Sequence, residues 1–445
     1  MRVIGISLAI VSALGAATAF EQASGQERQD RRTRFQVDTV VPDEDADAAD
    51  AVRRGARRYS EAPTGFDNET NGFLPQGPDF DTIDEENVEP LRSFNDNRFI
   101  FEESETIEDG LGPVYNAQGC RECHQNVVTG GASQIAEHRT GRLDGDEFFE
   151  SLGGSLVHSR ATNPELVELV LFEDTIRTFR ISTNTLGAGF IEAIPNQLLL
   201  RIRDNQPAAM RGTVVRAPVL EARGEPTRIG RFGWKSQHAS LVSFSADAYL
   251  NEMGITTPIF PDENTSSGMS VEKYDPVPDP EDDGIDVIAF ADFMRSTKAP
   301  SRGPIDADVL AGETLFKSVG CNVCHVDTLY TSAPGTRING GEFRVPDALG
   351  NKIFHPYSDF LLHDIGTGDG IPVQPTPEFA GTANQIRTAP LWALRTRNRL
   401  MHDGLTFTEQ EAIQRHDGQA ASVKAKYNAL SAAEQQLVLK FLDSL

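Results

Sequence analysis

Basic residues are in short supply: 41 lysines and arginines stand against 66 aspartates and glutamates, a net charge of −25. That balance argues against nucleic acid or an anionic membrane surface as partner and suits a positively charged protein instead. After residue 19 no apolar run approaches the roughly 20 residues of a membrane span, so no integral membrane segment is expected once the amino terminus is removed. No fixed-period repeat is evident. The Gly187-Ala-Gly189 pair has no third glycine and no framing strand and helix, which removes a dinucleotide fingerprint. Tryptophan is rare, with Trp234 and Trp392 alone, and cysteine nearly so, with four.

What is present begins with an address. Arg2 precedes an apolar run from Val3 to Ala17, closed by Ala17-Thr18-Ala19, which has the form of a cleavable export signal over residues 1–19. The periplasm or cell envelope is the expected location. Residues 20–60 are polar and charge-dense and read as a flexible leader.

The 445 residues suit two domains, and a break is expected at Lys298-Ala-Pro-Ser-Arg-Gly-Pro304. That gives an amino-terminal unit over 61–300 and a carboxy-terminal unit over 301–445. Before the break, Val287, Phe290, Ala291 and Met294 recur at helical spacing. After it, Asp308 is placed to cap a helix through Leu310, Leu315, Phe316 and Val319. Thr408-Glu-Gln-Glu411 and Ser431-Ala-Ala-Glu434 read as capping boxes, and Leu437, Val438, Phe441, Leu442 and Leu445 form one apolar stripe. The expected fold is mainly α: two cytochrome c-like haem domains with long loops, the first elaborated by irregular and short β insertions.

All four cysteines fall in two copies of one pattern, Cys120-Arg-Glu-Cys123-His124 and Cys321-Asn-Val-Cys324-His325. In Cys-x-x-Cys-His, two thioethers anchor the porphyrin and the histidine reaches the iron, so two covalent haems c are expected with His124 and His325 as proximal ligands. A four-cysteine zinc site would join pairs about 15–20 residues apart, and a thioredoxin-like pair needs neither a second copy nor a following histidine. Each iron then takes a sixth ligand or keeps an open position. His416 ends the capped helix downstream of the second motif, and Met401 is its chemical alternative.

Thr388-Ala-Pro-Leu-Trp-Ala-Leu-Arg395, Leu400-Met-His-Asp-Gly404 and the helix ending at His416 resemble the carboxy-terminal domain of bacterial di-haem cytochrome c peroxidases. The axial ligand there is commonly methionine, and His416 in its place implies a lower-potential, bis-histidine second haem. Gly112-Pro-Val-Tyr-Asn-Ala117, Phe290-Ala-Asp-Phe-Met-Arg295, His355-Pro-Tyr-Ser-Asp-Phe-Leu-Leu-His-Asp364 and Arg395-Thr-Arg397 are more similar still to the di-haem oxidoreductase family of peroxidase-like proteins.

The resemblance implies reduction of hydrogen peroxide at the amino-terminal haem, with electrons entering through the other from a small redox protein or quinol-linked cytochrome. It also implies a sixth ligand near His124 that can leave on activation, for which His138, His158 and His238 are candidates. Glu192, in an apolar run, is the expected proton shuttle, with a raised pKa. Either tryptophan could relay electrons, although core packing is the more usual role. The alternatives are a di-haem electron carrier without peroxidase activity and a di-haem oxidase or oxygenase acting on another substrate. The acidic run Asp279-Pro-Glu-Asp-Asp-Gly284 lacks EF-hand spacing; it reads as solvated surface, with calcium a possible occupant.

Overall fold

The computed structural model describes residues 36–37, 59–65, 91–145 and 147–445. The export signal and nearly all of the polar leader lie outside the described residues.

Helix α1, Leu91–Glu102, turns Phe94 and Phe101 inward. The Phe101 ring lies 4.8 Å from Phe293 and 6.0 Å from Phe290, and Phe94 lies 5.7 Å from Phe293. Buried phenylalanines at these separations each contribute about 1.5–3 kcal/mol relative to exposure, so this quartet fixes the floor under the first cysteine motif. A three-stranded antiparallel sheet follows, with β1 (Ala136–Asp144) between β2 (Glu147–Glu150) and β3 (Ile176–Ile181). Next come α2 (Ala188–Glu192), buried throughout, and α3 (Asn196–Asn205), which Pro195 opens. β4 (Val215–Pro218) pairs with β5 (Thr227–Ile229). α4 (Leu241–Ala248) then runs into a π-helical turn at Tyr249–Met253, and α5 (Ile285–Arg295) supplies Phe290 and Phe293.

Beyond residue 300, α6 (Ala307–Val319) is capped by Asp306, whose carboxylate accepts from the Val309 N–H at 2.9 Å. Asp308 is not the cap; it lies in the first turn, where its charge suits the helix dipole. β6 (Leu329–Tyr330) pairs with β7 (Lys352–Phe354), and β8 (Leu362–Asp364) with β9 (Gln385–Arg387). Three helices close the chain: α7 (Glu409–Arg415), α8 (Ala421–Asn428) and α9 (Ala432–Leu442). Ser431 and Glu434 form the full reciprocal box. At α7 the Thr408 hydroxyl caps Glu411, but the Glu411 carboxylate reaches back to the Phe407 N–H. α6 and α9 cross where a Cβ on Gly312 would stand 1.9 Å from the Leu437 carbonyl oxygen, so only glycine permits that approach.

Among the described residues helix accounts for 34% and strand for 16%, which makes the architecture mixed rather than mainly helical. Short strands lie on both sides of residue 300, because proline and glycine between the second motif and α7 interrupt helices and leave short segments to pair. The largest core also draws on both sides: Phe190 packs 6.0 Å from Phe354, and Phe354 lies 5.9 Å from Trp392. A second core joins Val309 and Phe316 of α6 to Tyr427, Val438 and Phe441. Among the described residues no helix is long and apolar enough to cross a membrane.

Candidate active site

Gly320, at φ 104°, ends α6 in a left-handed turn and sends the chain into Cys321–His325. The His325 ring nitrogen Nδ1 lies 3.0 Å from the Tyr357 carbonyl, and His416 Nδ1 lies 2.7 Å from the Ala412 carbonyl. Donation at Nδ1 leaves Nε2 as the ligating nitrogen on each ring. The two ring centres are 6.4 Å apart. Two imidazoles on opposite sides of one metal need about 2.0 Å of bond and about 1.1 Å from nitrogen to ring centre on each side, roughly 6.2 Å in all. Burial lowers the pKa of both, His325 to about 4, which keeps the rings neutral as ligation requires.

Both rings line a cavity of about 1590 Å³, including its open mouth, walled by Ile365, Leu391, Leu394, Ile413 and Val423. Arg387 and Arg397 line it as well. Burial brings each guanidinium down to about 10, and Arg397 depresses Arg387 further. Arg397 donates to the Pro390 and Trp392 carbonyls, while its buried Nε has no hydrogen-bond partner. Arg387 and Arg397, with Arg399 and Lys424 also on the wall, set cations at a largely apolar cavity, which suits the paired carboxylates of a haem edge, so the donor set and walls fit that group. Met401 lines the same cavity, but His416 is the ring set opposite His325.

Cys324 Sγ lies 3.7 Å from His363 Nδ1, and His363 Nε2 lies 2.9 Å from Asp359 Oδ2. Burial disfavours the imidazolium, but the Asp359 carboxylate outweighs it and raises His363 to about 10. Gln206 holds Asp359 at 2.7 Å and the Val323 carbonyl at 2.9 Å, tying the motif to α3.

The first motif forms one helical turn, Cys120–Cys123, capped by His124. The His124 ring sits 6.2 Å from Phe101. Burial lowers its pKa; backbone at Gly131 and Thr183 opposes this, although Nδ1 has no partner within hydrogen-bond distance. His124 lines a second cavity of about 2050 Å³ including its mouth, and this one is polar, with Glu137, Arg139, His238, Asp247 and Glu252 among its walls. Glu252 carries a strongly raised pKa, from burial first and then from Glu137, with which it shares a hydrogen bond; Arg139 opposes the rise. Arg139 binds Glu137 at 2.9 Å, and Asn116 binds Glu252 at 3.1 Å. Both carboxylates lie beside Cys123, whose thiol burial pushes up to about 12 with their help.

The three histidine candidates separate. His138 stacks on Phe179 at 5.0 Å and lines neither cavity. His158 lines the second cavity with both ring nitrogens engaged, by Glu168 and by the Asn251 carbonyl. His238 lines it with Nε2 3.2 Å from Asp247.

Ile181, Ser182, Thr183 and Trp234 line both cavities. Trp234 gives its Nε1–H to the Ile181 carbonyl at 2.7 Å, and the Arg387 N–H binds the Trp234 carbonyl at 2.8 Å. His402 meets its ring edge-on at 6.1 Å. Burial lowers His402 to about 4, and its Nδ1 has no hydrogen-bond partner. Trp392, by contrast, is core.

The raised pKa expected for Glu192 does not hold. Burial alone would raise it, but Arg295 grips both oxygens at 2.7 and 3.0 Å, the Leu241 N–H and Asn339 add bonds, and the net shift is downward. Glu192 lines neither cavity; its carboxylate ties α2 to Arg295 of α5 and to Asn339. The acidic run is not simply solvated: Asp279 and Glu281 converge with Glu263 and Asp275, their oxygens within 4.8 Å of one another, a set of the kind that can hold a hard cation.

A family model described as "Di-haem oxidoreductase, putative peroxidase" matches residues 141–445, a span that contains the second motif and begins after the first. Comparison with curated proteins gives no match. Three solved structures are similar at a distance. Hydrazine synthase of Kuenenia stuttgartiensis shares 14% identity over 92% of this chain and 99% of its own, with a TM-score of 0.37. A MauG-like protein associated with microbial copper homeostasis shares 13% over 88% and 94%, at 0.38. The diheme peroxidase BthA from Burkholderia thailandensis E264 shares 14% over 54% and 71%, at 0.31.

Proposed function

Because the chain belongs to the di-haem oxidoreductase family, we propose that it is an exported, periplasmic c-type oxidoreductase that reduces hydrogen peroxide. The contrast between the two cavities carries this reading. One is largely apolar and lined by two imidazoles whose centres lie 6.4 Å apart; the other is polar and lined by His124 and a hydrogen-bonded carboxylate pair.

In this reading Cys120, Cys123 and His124 hold one haem, in a unit over residues 61–300. Cys321, Cys324, His325 and His416 hold the other, in a unit over 301–445. Held there, the haems would supply one-electron chemistry and, at the first, an iron able to take peroxide. The chain's own residues do the rest. Glu252, kept protonated by burial and Glu137, holds a proton at its carboxyl oxygen and gives it to the departing peroxide oxygen. Glu137, oriented by Arg139 and Ser182, takes the proton from the near oxygen. Trp234, in the shared wall, brings the two sites into contact for electron passage. The net charge of −25 suits a positively charged donor protein.

Optical and electron paramagnetic spectra of the half-reduced holoprotein, with and without peroxide, test this. One high-spin haem that peroxide converts, beside one low-spin haem that stays unchanged, is the expected result. Two unreactive low-spin haems would leave an electron carrier, a reading that His238 in the second cavity favours. A reactive iron that turns over dioxygen and not peroxide would leave the oxygenase.

A further inference from the structure

Tyr249 opens the π-helical turn after α4, a distortion that often marks functional positions. Its side chain is 2% exposed. Its hydroxyl donates to Glu105 Oε1 at 2.9 Å, with Asp286 Oδ2 at 3.4 Å. A line of packed rings leads from it towards the second cavity: Tyr249 meets Phe290 edge-on at 5.1 Å, Phe290 lies 6.0 Å from Phe101, and Phe101 lies 6.2 Å from His124. We infer that Tyr249, with Glu105 as acceptor of its phenolic proton, is a one-electron oxidation site that draws oxidising equivalents away from the His124 cavity.

The inference rests on the peroxidase reading, which supplies the oxidant: the first haem after its reaction with peroxide. One electron leaves Tyr249 and reduces that centre by one equivalent. The phenolic O–H bond breaks, and its proton forms an O–H bond on Glu105 Oε1. The products are a neutral phenoxyl radical and a neutral carboxyl group. Phenol and carboxylate are already within the 2.6–3.2 Å needed for that transfer.

The surroundings favour it. Glu103, Asp109, Asp282 and Asp286 all add negative potential around the pair, which eases removal of an electron. Burial, set against the Tyr249 hydrogen bond, leaves the Glu105 carboxyl at about 7, so its protonated form is accessible. Trp234 lines both cavities, where it can mediate tunnelling between them without being oxidised, but it is poorly placed to hold a radical. Its indole N–H is bonded to a backbone carbonyl, which cannot take the proton, and the Arg387 guanidinium stands 6.0 Å from the ring.

The test uses holoprotein with both haems attached, mixed with hydrogen peroxide, frozen, and examined by electron paramagnetic resonance. Wild type is expected to give an organic radical whose lines narrow on ring-deuteration of tyrosine. Tyr249→Phe, at equal haem content and with the same haem response to peroxide, should lose it, and Glu105→Gln should lower its yield. A tyrosyl signal that persists in Tyr249→Phe, or a peroxide-responsive haem with no tyrosyl radical, overturns the inference. Failure of the peroxidase reading would look different, as a haem spectrum indifferent to peroxide. Photo-oxidation with a ruthenium tris-bipyridine sensitiser and persulfate then decides: a radical abolished by Tyr249→Phe supports the site, and one that survives refutes it.

Discussion

The imidazole rings of His325 and His416 lie with centres 6.4 Å apart and planes inclined at 56°, each tethered through Nδ1 to a backbone carbonyl. Replacing either ring should therefore change one haem and spare the other. His416→Ala is expected to convert the second haem from low to high spin, with added imidazole restoring the low-spin spectrum. His416→Met should keep it low-spin and raise its reduction potential, as thioether ligation does. Redox titration followed optically measures both.

The carboxylate pair of the second cavity gives a second expectation. Glu252→Gln or Glu137→Gln should lower peroxide turnover by about 10²–10⁴-fold, the usual worth of a positioned acid or base. Haem content, read from the absorbance of the pyridine complex, should stay at two per chain.

Glu192 should behave in the opposite way, with its effect on stability. Its carboxyl is held below the ordinary 4.5, so the stability it contributes is fully present above about pH 4.5 and is lost as pH falls through the lower folded value. Glu192→Gln should flatten the acid limb of a urea-unfolding series taken from pH 7 to pH 3. Arg295→Met, which strands the buried carboxylate, should cost about 3–5 kcal/mol.

Gly312 offers a geometric test. An added Cβ would meet the Leu437 carbonyl at 1.9 Å, and that oxygen is main chain and cannot swing aside. Gly312→Ala should push α6 from α9 and destabilise by about 1–3 kcal/mol, measured by urea unfolding.

What the sequence made legible follows from distance along the chain. Cys-x-x-Cys-His is readable because its groups act from one turn of backbone, and His416 because a capped helix delivers it. The Ser431–Glu434 box is local in the same way. Glu137 and Glu252 were not readable, since one stands on β1 and the other in the π-helical turn, and only tertiary packing brings them together. Glu192 shows the converse. Its apolar neighbours signalled burial correctly, but the sign of its pKa shift depends on Arg295, 103 residues away. Arg387 carries no local signature of its burial, because the chain segments that cover it come from elsewhere in the sequence. The short strands after residue 300 have no sequence signature, because two- and three-residue ladders leave no period.

The stack of Phe190, Phe354 and Trp392 bears on how such a protein can be altered or inherited. Gly187 abuts the Trp392 ring so closely that an added Cβ would stand 2.9 Å from it, so the segments on either side of residue 300 fit each other side chain by side chain. A gene cut at residue 300 would release two fragments, each baring the apolar face that the other covers. Recombination that swaps either half for a distant homologue's would inherit a mismatched seam, and the halves are therefore expected to descend together.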